Sequence, residues 1–234
     1  MIEKVLVFDI WGDYAHFRKI ETTTSPLTYS IPTGTSLLGL ISAMVGLERD
    51  SYYEIFSPEN TKYAIRIINP IKKVGINLSL IDTKKGRYLW DITKNPRTLI
   101  PFEFLKDPRY RIYFWTKRSG IYEKLKFFLK HHQSFYTPYL GLSELIGNFE
   151  YIGEFDDIEI CKDNAEIHTV LRKDKANFIV EEGKRYGLER IPLFMDNNRV
   201  VGEYADVIFE LNGKSLRVSE TEFYKIGSEN VSFI

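Results

Sequence analysis

Only two stretches of this sequence have the apolar spacing of an α-helix, and short runs rich in β-branched and aromatic residues flank them both. The spacing predicts one helix over 33–47 and another over 120–132. A short β-branched and aromatic run ended by Gly12-Asp13 predicts a strand at 5–11, residues 63–71 are strand-like, and alternation of basic with apolar residues predicts a strand at 109–115. So few helices among so many strand-like runs indicate an α+β fold.

The first helix carries its own boundary signals. Thr35 or Ser36 can cap its start, and Gly46 lies near its end. Gly39 and Ala43 make one side of this helix small. That side is expected to pack closely on a sheet.

Turn residues between strand-like runs predict two hairpins. Residues 74–92 alternate on both sides of a Lys-Lys-Gly turn, which predicts a hairpin with a basic tip. The clearest hairpin signal is Asn212-Gly213, between strand-like runs at 199–211 and 214–218. Three prolines predict irregular structure over 95–108. Residues 138–153 are expected to pass from a turn through a short helical piece into a strand.

The order strand, helix, strand, hairpin, strand, helix, strand resembles a ferredoxin-like βαββαβ core with an inserted hairpin. RNA-recognition modules use this arrangement, with the open face of the sheet toward the RNA. We expect this domain to span 1–153, with the insertion at about 72–108 and a long functional or disordered loop at 12–34. Residues 154–234 are expected to form a β-rich part packed on it.

The charges are distributed unevenly although their sum is zero. Residues 1–149 hold 21 Lys and Arg against 14 Asp and Glu, and residues 150–234 hold 11 against 18. Within 62–132 there are 17 basic and 5 acidic residues, interleaved with 12 aromatic ones. This pattern predicts that one region of the protein faces a polyanion.

The remaining composition excludes several classes of protein. A single cysteine, Cys161, permits no internal disulfide and is typical of a reducing compartment. The longest apolar run, 37–47, is about half of the ~20 residues that a membrane helix needs, and residues 1–10 do not have the pattern of a signal peptide. The four histidines and the cysteine lack zinc-ligand spacing, and 34–39 lacks the lysine of a phosphate loop. We therefore expect a cytoplasmic protein without metal or cofactor.

Three sequence blocks together carry a family resemblance. They are GDYAHFRKIETTTSPLTYSIPTGTSLLGLISAMVGL at 12–47, TPYLGLSELIGNF at 137–149 and RIPLFMDNNRVVGEYADVIFE at 190–210. In this order they resemble CRISPR-associated proteins of family five, subtype I-B, in the RAMP superfamily. The sequence departs from the family at Gly34, where relatives often have a basic residue, although the N–H groups of the helix start can still meet a phosphate.

The resemblance implies a binding role without chemistry. Such proteins cap the single-stranded 5′ handle of the guide RNA in a Cascade-type surveillance complex. They lie beside backbone subunits of family seven and near the large subunit of family eight, with target DNA nearby. The inserted hairpin of the family fold, its thumb, lies across the RNA and corresponds to the basic hairpin here.

Single-stranded RNA is held by cations on its phosphates and by aromatic faces on its unstacked bases. The predicted stacking residues are Tyr14, Phe17, Tyr29 and Trp90. The predicted phosphate ligands are Arg18, Lys19, Lys72, Lys73, Lys84, Lys85, Arg87, Arg97, Lys117 and Arg118. Further polar contacts are predicted at His16, Thr22, Thr23, Thr24, Ser25 and Thr35.

Two alternatives stay open at the level of sequence. Subtype I-C relatives cut precursor RNA without metal, using a Tyr, a Lys and a His, and those positions correspond here to Val45, Ile121 and Tyr122, so none of the three residue types is kept. Lys130, His131 and His132 lie close together in the sequence but at the wrong end of the second helix, and His16 is the other candidate proton carrier, beside Tyr14. The other alternative is a protein-only scaffold whose basic region meets an acidic partner.

Overall fold

A computed structural model describes residues 2–82 and 97–234, which contain two helices and fourteen strands. In chain order these are β1 (Val5–Trp11), β2 (Tyr14–Ala15), α1 (Gly34–Val45), β3 (Thr61–Ile67), β4 (Lys73–Ile81), β5 (Arg97–Lys106), β6 (Arg109–Thr116), α2 (Ser119–Lys130), β7 (Asn148–Phe155), β8 (Ile158–Ile167), β9 (Leu171–Arg172), β10 (Asn177–Phe178), β11 (Tyr186–Met195), β12 (Val201–Glu210), β13 (Leu216–Ile226) and β14 (Glu229–Val231). The α+β class expected from the sequence is confirmed. Neither helix is long and apolar enough to cross a membrane, as judged over the described part of the chain.

A four-stranded antiparallel sheet forms the centre of the fold, in the order β3-β6-β1-β7. Helix α1 lies in the connection from β1 to β3, and α2 lies in the connection from β6 to β7. Leu6, Phe8 and Ile10 alternate along β1 into the core that both helices cover. Burying apolar side chains of this size stabilises each element by about 1.5–3 kcal/mol per residue.

The second face of the central sheet is covered at one end by the last residues of the chain. Val5 and Val7 of β1 point into a separate apolar cluster with Ile226, Val231 and Phe233. This arrangement corrects the expectation of an open sheet face, because the apolar half of that face is already occupied by protein.

Both predicted helices form, but the cap of the first lies earlier than expected. The N-cap is Thr33, whose Oγ1 accepts the N–H of Ser36, and neither Thr35 nor Ser36 serves as the cap. Gly46 ends α1 in the left-handed region, at φ 71°. The prediction that Gly46 lies near the end of this helix is confirmed.

The inserted hairpin pairs differently from the sequence prediction. β4 pairs with β5, so that Lys73 lies opposite Leu105 and Ile81 opposite Arg97. Residues 97–106, expected to be irregular, therefore form a strand. Pro101 is tolerated because its nitrogen faces away from β4, where the pairing of β4 with β5 needs no donor. The N–H of Glu103, two residues further on, points the same way and donates to the Pro26 carbonyl. The predicted basic tip lies outside the described residues.

The predicted hairpin at Asn212-Gly213 is wrong as a strand pair, although the turn itself is present. β12 pairs with β11 and β9, whereas β13 pairs with β8, β10 and β14. The turn is stabilised by the Glu210 carboxylate, which accepts the N–H groups of Asn212 and Lys214. The chain uses this turn to pass from one sheet to another.

Two further expectations, a short helix within 138–153 and a domain boundary at 153, are not seen in the structure. The segment before β7 contains turns and an isolated bridge between Tyr139 and Ile146 in place of a short helix. β7 continues through the expected domain boundary at 153, and the main core joins Leu6 and Phe8 to Leu193 and Val207 of the C-terminal part.

Candidate RNA-binding surface

The first loop, residues 12–34, folds back on itself as a short antiparallel ladder. The Tyr29 N–H donates to the Phe17 carbonyl (2.8 Å), and the Lys19 N–H donates to the Leu27 carbonyl (2.9 Å). This backbone pairing makes the loop an ordered structure, where the sequence had left order and disorder open.

The tip of the first loop presents side-chain hydroxyls to solvent. Thr22 closes the tip by donating its Oγ1 hydrogen to the Lys19 carbonyl (2.8 Å), and Arg18 Nη2 donates to the Thr22 carbonyl (3.2 Å). Arg18 is exposed, and so are the predicted contacts that follow, Thr23, Thr24 and Ser25. These residues form one continuous polar surface.

The base of the β4–β5 hairpin lies alongside this loop. The Glu103 N–H donates to the Pro26 carbonyl (3.0 Å), and the Thr28 N–H donates to Glu103 Oε1 (3.1 Å). Lys73 Nζ also donates to the Thr28 carbonyl (2.8 Å). We call the surface formed by the loop and the hairpin base the loop–hairpin surface; it consists of the half-buried Tyr14 and Thr22 and the exposed Arg18, residues 23–25, Lys72 and Lys106.

Tyr14, Lys72 and Lys106 are brought together by backbone pairing. Tyr14 of β2 lies opposite Lys106 of β5, and the Lys106 N–H donates to the Lys72 carbonyl (2.8 Å). Both lysines are exposed, and neither has an ion pair within the described residues. Lys106 was not among the residues predicted to bind RNA; its place within the basic segment 62–132 was the available signal.

Two predicted phosphate ligands are instead held by a carboxylate from the C-terminal part. Glu189 of β11 accepts the Ser30 N–H (2.8 Å) and lies 3.2 Å from Lys19 Nζ and 3.6 Å from Lys73 Nζ. Its side chain is only 10% exposed. Glu103 also lies 3.3 Å from Lys73 Nζ, so two carboxylates compensate the two lysines. Lys19 and Lys73 therefore serve to fix the loop to the hairpin and to β11.

Three predicted contact residues are buried. Phe17 and Tyr29 are 4% and 2% exposed and belong to the main core, so stacking of RNA bases on them does not hold for the folded chain. His16 is buried against the rings of Phe102 and Phe104. Burial lowers the pKa of His16, and this favours the neutral imidazole.

The other predicted residues lie at separate places. Lys117 and Arg118 are exposed but follow β6, at the end of that strand away from Arg109 and the hairpin base. An eight-residue strand separates those ends by about 25 Å. Arg97 is at the far end of β5 from Lys106. Four predicted residues lie outside the described chain: Lys84, Lys85, Arg87 and Trp90.

On the uncovered part of the central sheet, the positive and negative side chains compensate one another. Asp9, 1% exposed, accepts from Arg109 (2.8 Å) and from Arg111 (2.8 Å). Arg109 also pairs with Glu150 (2.9 Å), and Arg111 with Glu229 (3.2 Å). With their charges compensated, these arginines offer little net attraction for a phosphate backbone, so this face is a poor RNA platform.

A cleft of about 560 Å³ lies between α1 and the segment that contains residues 136–141. One wall is α1, where Gly39 and Ala43 border the space, and the small side of the helix therefore faces the cleft and not the sheet. The opposite wall contains Tyr136 and Tyr139, which are 51% and 47% exposed. Phe17 forms part of the cleft lining, directly before exposed Arg18.

The wall of tyrosines is positioned by the end of α1. The N–H groups of Phe135 and Tyr136 donate to the carbonyls of Met44 (2.9 Å) and Ala43 (3.2 Å). Phe135 covers Gly46 so closely that a Cβ there would lie 2.5 Å from its ring. Sequence reasoning missed these rings, although their density in 135–139 was the signal.

The start of α1 has no room for the basic side chain that the family resemblance implied at Gly34. A Cβ on Gly34 would lie 2.0 Å from Tyr63 Oη and 2.3 Å from the Leu193 carbonyl. Tyr63 and Leu193 are both fully buried. Of the predicted contacts near this helix start, Thr35 remains, half-buried at the edge of the cleft.

Comparison with known proteins decides the family. A family model described as CRISPR-associated protein (Cas_Cas5) matches residues 5–206. The chain belongs to the Cas5 family of CRISPR-associated proteins. No curated protein matches it significantly.

Solved structures share the fold of this Cas5 family member. The crystal structure of a CRISPR protein from Archaeoglobus fulgidus superposes with a TM-score of 0.61 at 15% identity, covering 97% of this chain and 98% of the other. A chain of a CRISPR RNA-guided surveillance complex superposes with a TM-score of 0.55 at 12% identity, covering 91% of each. At such identities the likeness concerns the fold.

Proposed function

We propose that this Cas5 family member is a non-catalytic subunit of a type I-B Cascade surveillance complex that caps the 5′ handle of the guide RNA. In this proposal the central sheet and its two helices are a ferredoxin-like core, and the β4–β5 hairpin is the thumb. The partners are the RNA, a backbone subunit of family seven and a large subunit of family eight, with target DNA nearby.

The observation that carries the proposal is the loop–hairpin surface. Arg18, Lys72 and Lys106 are exposed cations without a carboxylate partner in the described structure, and Tyr14 and the hydroxyls of the loop tip lie among them. A single strand needs this combination of phosphate ligands, hydroxyl contacts and an aromatic edge. The fold shared with a chain of an RNA-guided surveillance complex supports membership in such an assembly.

The non-catalytic part of the proposal rests on the three positions that correspond to the catalytic residues of subtype I-C relatives. Val45 is fully buried and apolar, and Ile121 cannot exchange a proton. Burial, with the nearby charge of Glu154 as a smaller contribution, raises the pKa of Tyr122 far above its ordinary value. Neutral, buried His16 is a poor acceptor for the proton of a ribose 2′-OH, because RNA cannot reach it.

A salt titration with variants tests the binding function. The full chain is titrated with single-stranded RNA transcribed from the repeat that accompanies its gene, at several salt concentrations. Log affinity should fall linearly with log salt, and Arg18→Ala, Lys72→Ala and Lys106→Ala should each reduce the slope by about 0.7. Lys162→Ala, which removes an exposed cation of β8, is the matched control and should leave the slope unchanged.

Two results would contradict the proposal. Equal affinity for duplex DNA, or slopes unaffected by the three surface variants, would remove the RNA-binding role. A single specific cut of repeat RNA in the presence of EDTA would replace the non-catalytic role with that of a metal-independent endoribonuclease.

A further inference from the structure

We propose that the exposed rings at and after the end of α2 form a docking surface for an acidic, apolar segment of a partner protein. We call it the ring surface; it consists of Lys124, Phe127, Phe135, Tyr136, Tyr139 and Ile146. The inference rests on the proposed membership in an assembly and adds a protein contact on residues other than those of the loop–hairpin surface.

Exposed aromatic rings are concentrated in this one place. Phe127, Phe135, Tyr136 and Tyr139 are 52%, 60%, 51% and 47% exposed, and every other Phe, Tyr and Trp that the structure describes is buried or half-buried. Single exposed apolar side chains are ordinary, whereas several together mark a surface that binds a partner. Aromatic residues are also enriched at the centres of protein interfaces.

Direct contacts join the rings into one surface. Phe135 and Tyr136 pack edge to face, with ring centroids 4.8 Å apart. Lys124 Nζ lies 5.9 Å from the centroid of the Phe135 ring, and Phe127 follows Lys124 by three residues, on the same side of α2. Lys124 therefore connects the ring on the helix with the rings that follow it.

The other end of the ring surface borders the cleft beside α1. Tyr136 and Tyr139 form a wall of this cleft, and an isolated antiparallel bridge joins Tyr139 to Ile146, which is 58% exposed. Glu48 and Arg49 also line the cleft and are opposite in charge, while the rest of the lining is mostly apolar. Such a pocket can receive one apolar side chain of a partner at the centre of an interface.

The α2 end of the ring surface is cationic. Lys124 and Lys130 are exposed, and neither forms an ion pair with any residue that the structure describes. The acid of α2, Glu123, is held by Lys4 at 2.7 Å. A partner segment that combines an apolar anchor with acidic residues is therefore complementary to this surface.

A protein segment fits these residues better than a nucleic acid strand does. A strand has a phosphate on every nucleotide and needs a row of cations, whereas this surface offers only two uncompensated lysines among the described residues. Both lysines already lie over rings of the protein itself, Lys124 over Phe135 and Lys130 over Tyr151. Ile146 has no flat face on which a base could stack.

Titration with partner proteins tests the inference. The probes are the CRISPR-associated proteins encoded beside its gene, each purified separately and titrated into the fluorescently labelled full chain. Phe127→Ala and Tyr139→Ala should each weaken the association with one of these proteins about 5- to 30-fold, as expected for the loss of a central interface ring. Val180→Ala, which shortens a side chain that is 74% exposed in the C-terminal part, is the matched control and should leave the affinity unchanged.

Charge reversal tests the acidic character of the partner. Lys124→Glu and Lys130→Glu should weaken the same association about tenfold, and more at low salt than at high salt. Lys162→Glu, which reverses an exposed lysine of β8, is the control. Hydroxyl-radical oxidation of the rings in the unaltered chain should fall several-fold when that protein is bound and stay unchanged when only repeat RNA is bound.

Each opposite result overturns a defined part of the argument. Unchanged association in both ring variants, or rings that stay fully reactive in the complex, removes the docking surface and leaves the proposed RNA-binding function intact. Protection of the rings by RNA alone assigns the surface to nucleic acid. Ring variants that weaken the association while both charge reversals do not would remove the acidic partner. Absence of association with every protein tested removes both the assembly membership and the docking surface.

Discussion

At the scale of single residues, carboxylates decide which cations of the basic segment are free. Glu189 compensates Lys19 and Lys73, and Asp9 compensates Arg109 and Arg111. The sequence showed the excess of basic residues but not these pairs, because each pair joins residues that are about 100 or more positions apart in the chain. Ion pairing therefore separates structural cations from those available to RNA.

Replacing Glu189 by Gln should lower the free energy of unfolding by about 1–3 kcal/mol, since two lysines and the Ser30 contacts lose a charged acceptor in a mostly buried place. Urea unfolding measures this. Glu182→Gln, at an exposed position without an ion pair in the described structure, is the control. Equal midpoints for the two variants would show that the Glu189 contacts add nothing.

His16 should make stability fall as the medium is acidified. Burial keeps the folded-state pKa below the ordinary 6.5, so the unfolded chain binds a proton first as the pH decreases. Stability is therefore lost from about pH 6.5 down to the folded pKa, by about 1.4 kcal/mol for each pKa unit of depression. Urea midpoints at pH 7.5 and 5.5 should differ more in the unaltered chain than in His16→Asn, and an identical difference would contradict the assignment.

At the scale of elements, local signals located most of the central helices and strands but not the partners of the strands. β1 was predicted at its observed bounds because its β-branched and aromatic residues form a short run that ends at Gly12-Asp13, and α2 was predicted within one or two residues because its apolar side chains recur on one buried face. The pairing at Asn212-Gly213 failed because a turn dipeptide fixes local backbone angles only, and Glu210 stabilises the same turn between two different sheets. Strand β5 was missed because Pro101 lies where no ladder donor is needed.

The start of α1 provides a prediction at this scale. Gly34→Lys should lower the free energy of unfolding by about 1–3 kcal/mol or more, because buried Tyr63 and Leu193 occupy the space of its Cβ. Gly120→Lys, in the first turn of α2 with open space around it, should have little effect. Denaturant unfolding of both variants is the measurement; equal stability would show that α1 can shift to accept a side chain.

At the scale of the whole molecule, the two parts expected from the charge asymmetry share one core. Leu193 and Val207 pack in the same cluster as Leu6 and Phe8, and Glu189 reaches the first loop from the C-terminal part. The candidate site was predictable as far as Tyr14, Arg18, the loop hydroxyls and Lys72. Its cleft was not, because α1, residues 136–141 and the first loop meet only in the folded chain.

The covering of the second sheet face can be tested through Phe233. Phe233→Ala should lower the free energy of unfolding by about 3–5 kcal/mol, since this 8%-exposed ring packs against the cluster that includes Val5 and Val7. Phe127→Ala, which removes a ring that is 52% exposed on α2, is the comparison. Chemical denaturation measures both, and similar small losses would mean that the C-terminal residues cover the sheet without stabilising it.

The Asp9 carboxylate helps to fix the register of the central strands. If β1 were shifted by one position, Asp9 would face the apolar core that now surrounds Phe8, under the two helices. Its charge would have no counterion there. The same shift would leave Arg109 and Arg111 without their shared acceptor. One acid at the middle of the sheet thereby penalises a one-residue misalignment of its central strands.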